Sequence, residues 1–155
     1  MPTSFESLQR HRAARADGPT SGRVWFFHSH SYFAAEHEAD ARAFMDRIRK
    51  EFASNSHIEV HTFVPFPVGP HPRGNFEVLF TREAFAEYVA WLMFERPDAL
   101  SILIHPLTRS QMDDHTSRAL WLGAPLPLEK GILERSDANS AARSEESIIE
   151  GAKRH

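Results

Sequence analysis

The chain has 155 residues, 41% of them hydrophobic and 25% charged, with a formal net charge of −3 and no cysteine. That length supports one domain with a core of its own. The lack of thiols excludes disulfides, cysteine-ligated metal sites and thiolate nucleophiles, and a slightly acidic chain without a basic stripe argues against nucleic acid as a partner.

Residues 1–22 are polar and end in Gly18, Pro19, Thr20, Ser21 and Gly22, which reads as an arm outside the core. It contains no continuous apolar stretch of the kind that directs secretion, and no run in the chain approaches the roughly 18 apolar residues of a membrane span. No membrane association and a cytoplasmic location are therefore expected. Residues 23–33 read as an aromatic-rich strand. Residues 36–53 read as a helix, because Ala41, Phe44, Met45, Ile48 and Phe52 recur at three- and four-residue steps. Residues 57–64 alternate polar and apolar, as a half-buried strand does. A Pro/Gly-rich loop follows from Pro65 to Gly74, then a strand at 75–81. A second helix is expected at 82–96, with Phe85, Val89, Leu92 and Met93 on one side and Pro97 to stop it. A fourth strand covers 100–106. The order β-α-β-β-α-β is that of an α+β, ferredoxin-like sandwich. Ser110 and Asp113 signal a further short helix at 111–122, with Gly123 as its stop. The compact domain thus spans 23–128. Residues 129–155 form a polar tail, either loose or able to dock as a helix on a partner.

Ten histidines stand in this chain, and five lie beside apolar strand or helix signals. Imidazole is the commonest metal ligand and titrates near neutral pH. His28 and His30 are two apart in a strand, so they project from one face about 6–7 Å apart. Tyr32 shares that face. In the strand order 4-1-3-2 the fourth strand flanks the first, and alternation turns His105 to the same side. The third strand flanks the first on its other edge, and alternation turns Glu77 there as well. Strand pairing and strand alternation therefore converge on one site above the sheet. His71 stands between Pro70 and Pro72, in a stiff loop that can hold an imidazole at small entropic cost. His115 falls on the inward face of the expected short helix, as a ligand, an acid/base group or a packed helix residue. His11, His37, His57, His61 and His155 read as incidental, His61 least so.

Four segments in order, HSHSYF, VGPHPRGNFEV, LSILIHPLT and DDHTSRALWLGAPLPL, resemble the DOPA 4,5-dioxygenase family over about residues 24–128. The resemblance implies a ferredoxin-like fold, in agreement with the periodicities. It also implies extradiol cleavage of a catechol, DOPA-like in class, by O₂ at a non-haem Fe(II) centre. The histidine-bearing motifs of the family fall on His28, His30, His71, His105 and His115 here.

Such chemistry needs about three protein ligands, leaving positions for catecholate and O₂. His28, His30 and His105 are the first choice, His71 the close competitor and Glu77 the carboxylate option. His115 is the candidate proton carrier. Arg73 or Arg118 could pair with a substrate carboxylate, and Tyr32 and Trp121 could wall an aromatic pocket. Imidazoles also accept zinc or nickel, so either could stand in for iron. Two other classes fit the residues. One is a binding module that sequesters a metal or an aromatic without turnover. The other is a dimer whose sheet face, with His28, His30 and Glu77, is a subunit interface. A homodimer is compatible with every reading.

Overall fold

Alternating strand and helix periodicities build a five-stranded sheet with two long helices on one face. A computed structural model describes residues 24–108 and 110–140, so the expected N-terminal arm lies outside the described residues. The elements are β1 (Phe26–Phe33), α1 (Glu38–Glu51), β2 (Ile58–Val64), β3 (Gly74–Thr81), α2 (Phe85–Glu95), β4 (Ser101–Pro106), α3 (Gln111–His115), β5 (Leu120–Leu122) and α4 (Lys130–Ser140). The sheet order is β2-β3-β1-β4-β5 with every neighbour antiparallel. This is the ferredoxin-like order with one added edge strand. None of the helices among the described residues is long and apolar enough to cross a membrane.

The two long helices pack on the sheet through narrow apolar stripes. On α1, Ala41, Phe44, Met45 and Ile48 are buried. They meet Phe76, Val78 and Phe80 of β3 and Ile102 and Ile104 of β4 in one core cluster. Cutting a fully buried side chain such as Ile48 back to Ala would cost about 2–5 kcal/mol. On α2 the buried residues are Tyr88, Val89 and Leu92. Met93, expected on the packed side, is 64% exposed instead. The stripe follows 85, 88, 89 and 92, and Met93 sits one helical step beyond it. The helix ends at Arg96, whose extended ψ of 125° is what Pro97 demands of its predecessor.

Three other local expectations change. The β2–β3 register slips between Val60 and Phe63. Strict alternation would set Phe63 opposite Val60, but this bulge turns both to the helix side, where Phe63 stacks on Phe33 and Phe76. The helix expected over 111–122 stops at His115, and Leu120–Leu122 pair with β4 as β5. Gly123 does adopt positive φ (82°), as its stop signal requires, but it closes a strand rather than a helix. The segment read as a tail contains α4, whose Leu133 is 2% exposed.

Gly74 opens β3 where the Phe33 ring passes. A Cβ there would lie 2.8 Å from that ring, so only glycine lets β3 start beside the end of β1.

Candidate metal centre

The sheet register brings the first three histidines together. His28 pairs directly with His105 across β1–β4, and His30 pairs with Glu77 across β1–β3. All four side chains are 4% exposed or less. The His28 ring lies 5.4 Å from that of His105 and 5.6 Å from that of His30.

Hydrogen bonds assign the ring tautomers. Asn75 gives its amide Nδ2 to the Arg73 carbonyl and turns Oδ1 to His30 Nδ1 at 3.2 Å. The Pro106 carbonyl lies 2.8 Å from His105 Nδ1. A carbonyl oxygen only accepts, so both Nδ1 atoms carry the proton and both Nε2 atoms carry a lone pair. Those two Nε2 atoms face each other at 3.2 Å. Two lone pairs at that distance repel unless a proton or a cation lies between them. Burial, reinforced by the neighbouring imidazoles, pushes the pKa of both His30 and His105 well below the ordinary histidine value, which disfavours the proton. Nitrogen ligands about 2.0–2.1 Å from one metal ion, at ordinary bond angles, stand roughly 3–3.4 Å apart. The observed spacing therefore fits two imidazoles that share a metal.

The remaining histidines come from outside the sheet. His71 is held by a bridge between Val68 and His71, and its Nδ1 lies 2.7 Å from the Tyr32 hydroxyl. Burial raises the Tyr32 pKa, so its oxygen stays protonated. His115, at the end of α3, donates Nδ1–H to the Gln111 carbonyl at 2.8 Å, which leaves the lone pair on Nε2. Burial lowers its pKa to about 4, so the imidazole is neutral at neutral pH. Its ring is 4.0 Å from that of His105, and the His71 ring is 4.2 Å from that of His30. Two triads result, His28–His30–His105 and His30–His71–His115, each with one ligand atom per residue within 4.8 Å of the others. His30 belongs to both. Because these side chains are buried within one chain, they do not form the subunit interface considered above.

Glu77 is 1% exposed and lies 3.4 Å from His28 Nε2. On its far side, His61 Nδ1 approaches Glu77 at 3.0 Å and His61 Nε2 approaches Glu59 at 3.3 Å. An imidazole between two carboxylates donates from both nitrogens. Those two bonds, to Glu59 and then Glu77, raise its pKa to about 9. Sequence reasoning set His61 aside, although it lies in the strand beside Glu77. Asn75 was missed altogether, yet it stands two residues before Glu77 on the same strand face.

The two expected arginines differ in their surroundings. Arg73 is exposed. Arg118 is engaged by Thr108, Asp114 and Asp113, at 2.9, 3.1 and 3.4 Å. Asp114 in turn accepts the Thr108 amide and hydroxyl, and burial raises its pKa to about 6. Arg118 thus ties α3 to the end of β4. Trp121 stacks on Tyr32 with ring centroids 5.7 Å apart, forming an aromatic wall beside His71. His37 pairs with Asp40 at the surface and His57 bonds Thr81. His11 and His155 lie outside the described residues.

The family model described as the Dopa 4,5-dioxygenase family matches residues 27–132. A protein of Botryotinia fuckeliana, named only as an uncharacterized 21.2 kDa protein, is 39% identical over 110 residues, which is 66% of this chain and 58% of that protein. The DOPA 4,5-dioxygenase of Amanita muscaria is 38% identical over 110 residues, 68% of this chain and 47% of that one. The chain thus matches about half the length of these curated relatives. The crystal structure of a putative dioxygenase from Nostoc punctiforme is similar with a TM-score of 0.65 and 33% identity, covering 76% of this chain and 97% of that one. On the family match over most of the compact domain, this chain belongs to the DOPA 4,5-dioxygenase family.

Proposed function

We propose that the chain is a metal-dependent dioxygenase that opens a catechol ring in the extradiol manner, breaking the carbon–carbon bond next to the two hydroxyls with O₂ as co-substrate. The observation that carries this reading is the pair of buried, lone-pair-bearing Nε2 atoms of His30 and His105 at 3.2 Å. Family membership, the names of the relatives and the surrounding imidazoles support it.

His28, His30 and His105 would hold the metal, with His71 as the alternative ligand. Ferrous iron bound there would supply the one-electron chemistry that lets O₂ react with a closed-shell catechol; zinc or nickel would bind the same donors without it. The residues around it do the rest. Desolvation keeps His30, His105 and His115 neutral, so their lone pairs are available at neutral pH. His115 can take a proton from a catechol hydroxyl at Nε2 and return it to the opened product, while its Nδ1–H bond to Gln111 holds the tautomer. Glu77 brings a negative charge next to the imidazoles and offsets the charge of a divalent ion. Trp121, half-buried and backed by the Tyr32 ring, offers the flat apolar surface that an aromatic ring stacks on. Among the described residues Arg118 is engaged by Thr108, Asp113 and Asp114 and Arg73 is exposed, so the substrate class proposed is catechols in general, with DOPA-like compounds among them.

The test is to load the protein anaerobically with Fe(II), add a catechol, admit O₂ and follow the yellow semialdehyde of a ring-opened product. Iron bound at one per chain with no absorbance change across a panel of catechols would overturn the reading and favour the sequestering module.

A further inference from the structure

The metal-centre histidines are not all positioned by the sheet. α3 has only five residues, far fewer than a helix needs to persist alone. Something else must hold it, and the bonds of its first turn show what does. The Gln111 amide donates to Asp137 Oδ1 at 2.5 Å, and the Met112 amide donates to Asp137 Oδ2 at 3.1 Å. The Ser110 hydroxyl also donates to Asp137 Oδ2, at 3.3 Å. The Asp113 amide is taken by Ser110 Oγ at 3.2 Å. Two of the amides at the start of α3 are therefore capped by a carboxylate more than 20 residues away in the chain, on α4.

Gln111 is also the residue whose carbonyl accepts Nδ1–H of His115. Asp137 is thus joined to the His115 ring through one residue, by a bond to its amide and a bond from its carbonyl. At its other end the same segment touches the second loop-borne histidine: the Glu129 amide donates to the carbonyl of Pro70, next to His71, at 3.0 Å. Leu133, between these contacts, is buried and anchors α4. The family match ends at residue 132, so Asp137 lies beyond it.

We infer that Asp137 is a positioning residue for His115, and that residues 129–140 form a strap that draws the His71 loop and the His115 helix onto the sheet-borne histidines. The placement of His115 is independent of which reaction the cluster performs. Its effect on turnover rests on the dioxygenase reading.

The experiment uses the full chain with Asp137→Ala, Asp137→Asn and, as a control on the exposed side of α4, Glu134→Ala. Ring nitrogen–proton correlation spectra assign the histidine signals one by one. In Asp137→Ala the His115 signals shift or broaden while those of His28 stay in place. In Asp137→Asn, which keeps one acceptor oxygen of the two, they move part of the way back. Glu134→Ala leaves all of them unchanged. In the iron-loaded protein the same order appears as a fall in kcat of about tenfold for the alanine variant with KM little altered, the scale typical of lost orienting contacts. His115 signals identical to wild type in Asp137→Ala, or a shift shared equally by His28, would overturn the assignment. Should the alanine variant not fold, the asparagine variant decides alone, since a wild-type His115 spectrum there, with an NH₂ group in place of one of the two oxygens that accept the three bonds, would equally overturn it. The expected His115 shifts together with no turnover in any variant, wild type included, would count against the dioxygenase reading and leave the strap standing.

Discussion

Two kinds of support meet at one cluster. His28, His30 and His105 stand on paired strands whose register is set by a continuous ladder and a core of fully buried side chains. His71 and His115 stand on a stiff loop and a five-residue helix, each held by a few hydrogen bonds. Rigid placement suits ligands, which must keep a fixed spacing, whereas a group that exchanges protons tolerates and uses a softer mount. His30 is the hinge of the comparison, because both triads include it.

That comparison can be broken most directly at His30. His30→Ala removes the shared nitrogen from both triads, and metal content measured on the purified protein should fall from about one per chain to near zero, an affinity loss of at least roughly 100-fold, beyond that of losing an outer partner. One metal per chain retained in His30→Ala, with unchanged far-UV circular dichroism, would undo the assignment of the centre.

A smaller and more discriminating effect is expected at His115. His115→Ala should keep its metal and lose about 10²–10⁴ in kcat, the usual contribution of a general acid or base. His28→Ala, on the rigid side, should lose the metal first. If the outcome is reversed, with the metal lost in His115→Ala and kept in His28→Ala, the division between ligands on the sheet and proton carrier on the helix is wrong, and the His30–His71–His115 triad takes its place.

The smallest effect sharpens the edge of the cluster. His61 has its folded pKa raised to about 9 by the bonds to Glu59 and Glu77, above the roughly 6.5 of an unfolded chain. Its charged form is therefore favoured in the folded state, and that contribution is fully present below pH about 6.5 and is lost as pH rises through 9. In metal-free protein the thermal midpoint should decline over this window, and His61→Gln should flatten the decline. Equal slopes in the two proteins would show that His61 carries no such charge.

The legible part of the site was the part on strands. Alternation placed His28, His30, Glu77 and His105 on one face, and the pairing order brought those strands side by side, as the structure has them. His61 and Phe63 were harder to place because a bulge interrupts the alternation that the sequence displays. The helix expected at 111–122 followed a sound start signal at Ser110, but β5 forms from its second half because pairing with β4 offers those residues more than helix propensity does. Nothing in the sequence singled out Asn75 or Asp137, since each acts on the site through hydrogen bonds to residues elsewhere in the chain.

By itself, then, the amino-acid order determined the sandwich, the helix-packed face of its sheet and the set of imidazoles that the other face could gather. These follow from periodicities of two and 3.6 residues, which are local and survive without knowledge of distant contacts. Tertiary structure alone decided the tautomer of His30, the capture of Glu77 by His61 and the capping of the His115 helix by Asp137. Each of those joins residues far apart in sequence, where the entropy lost in ordering them is recovered only once the core has already fixed their positions.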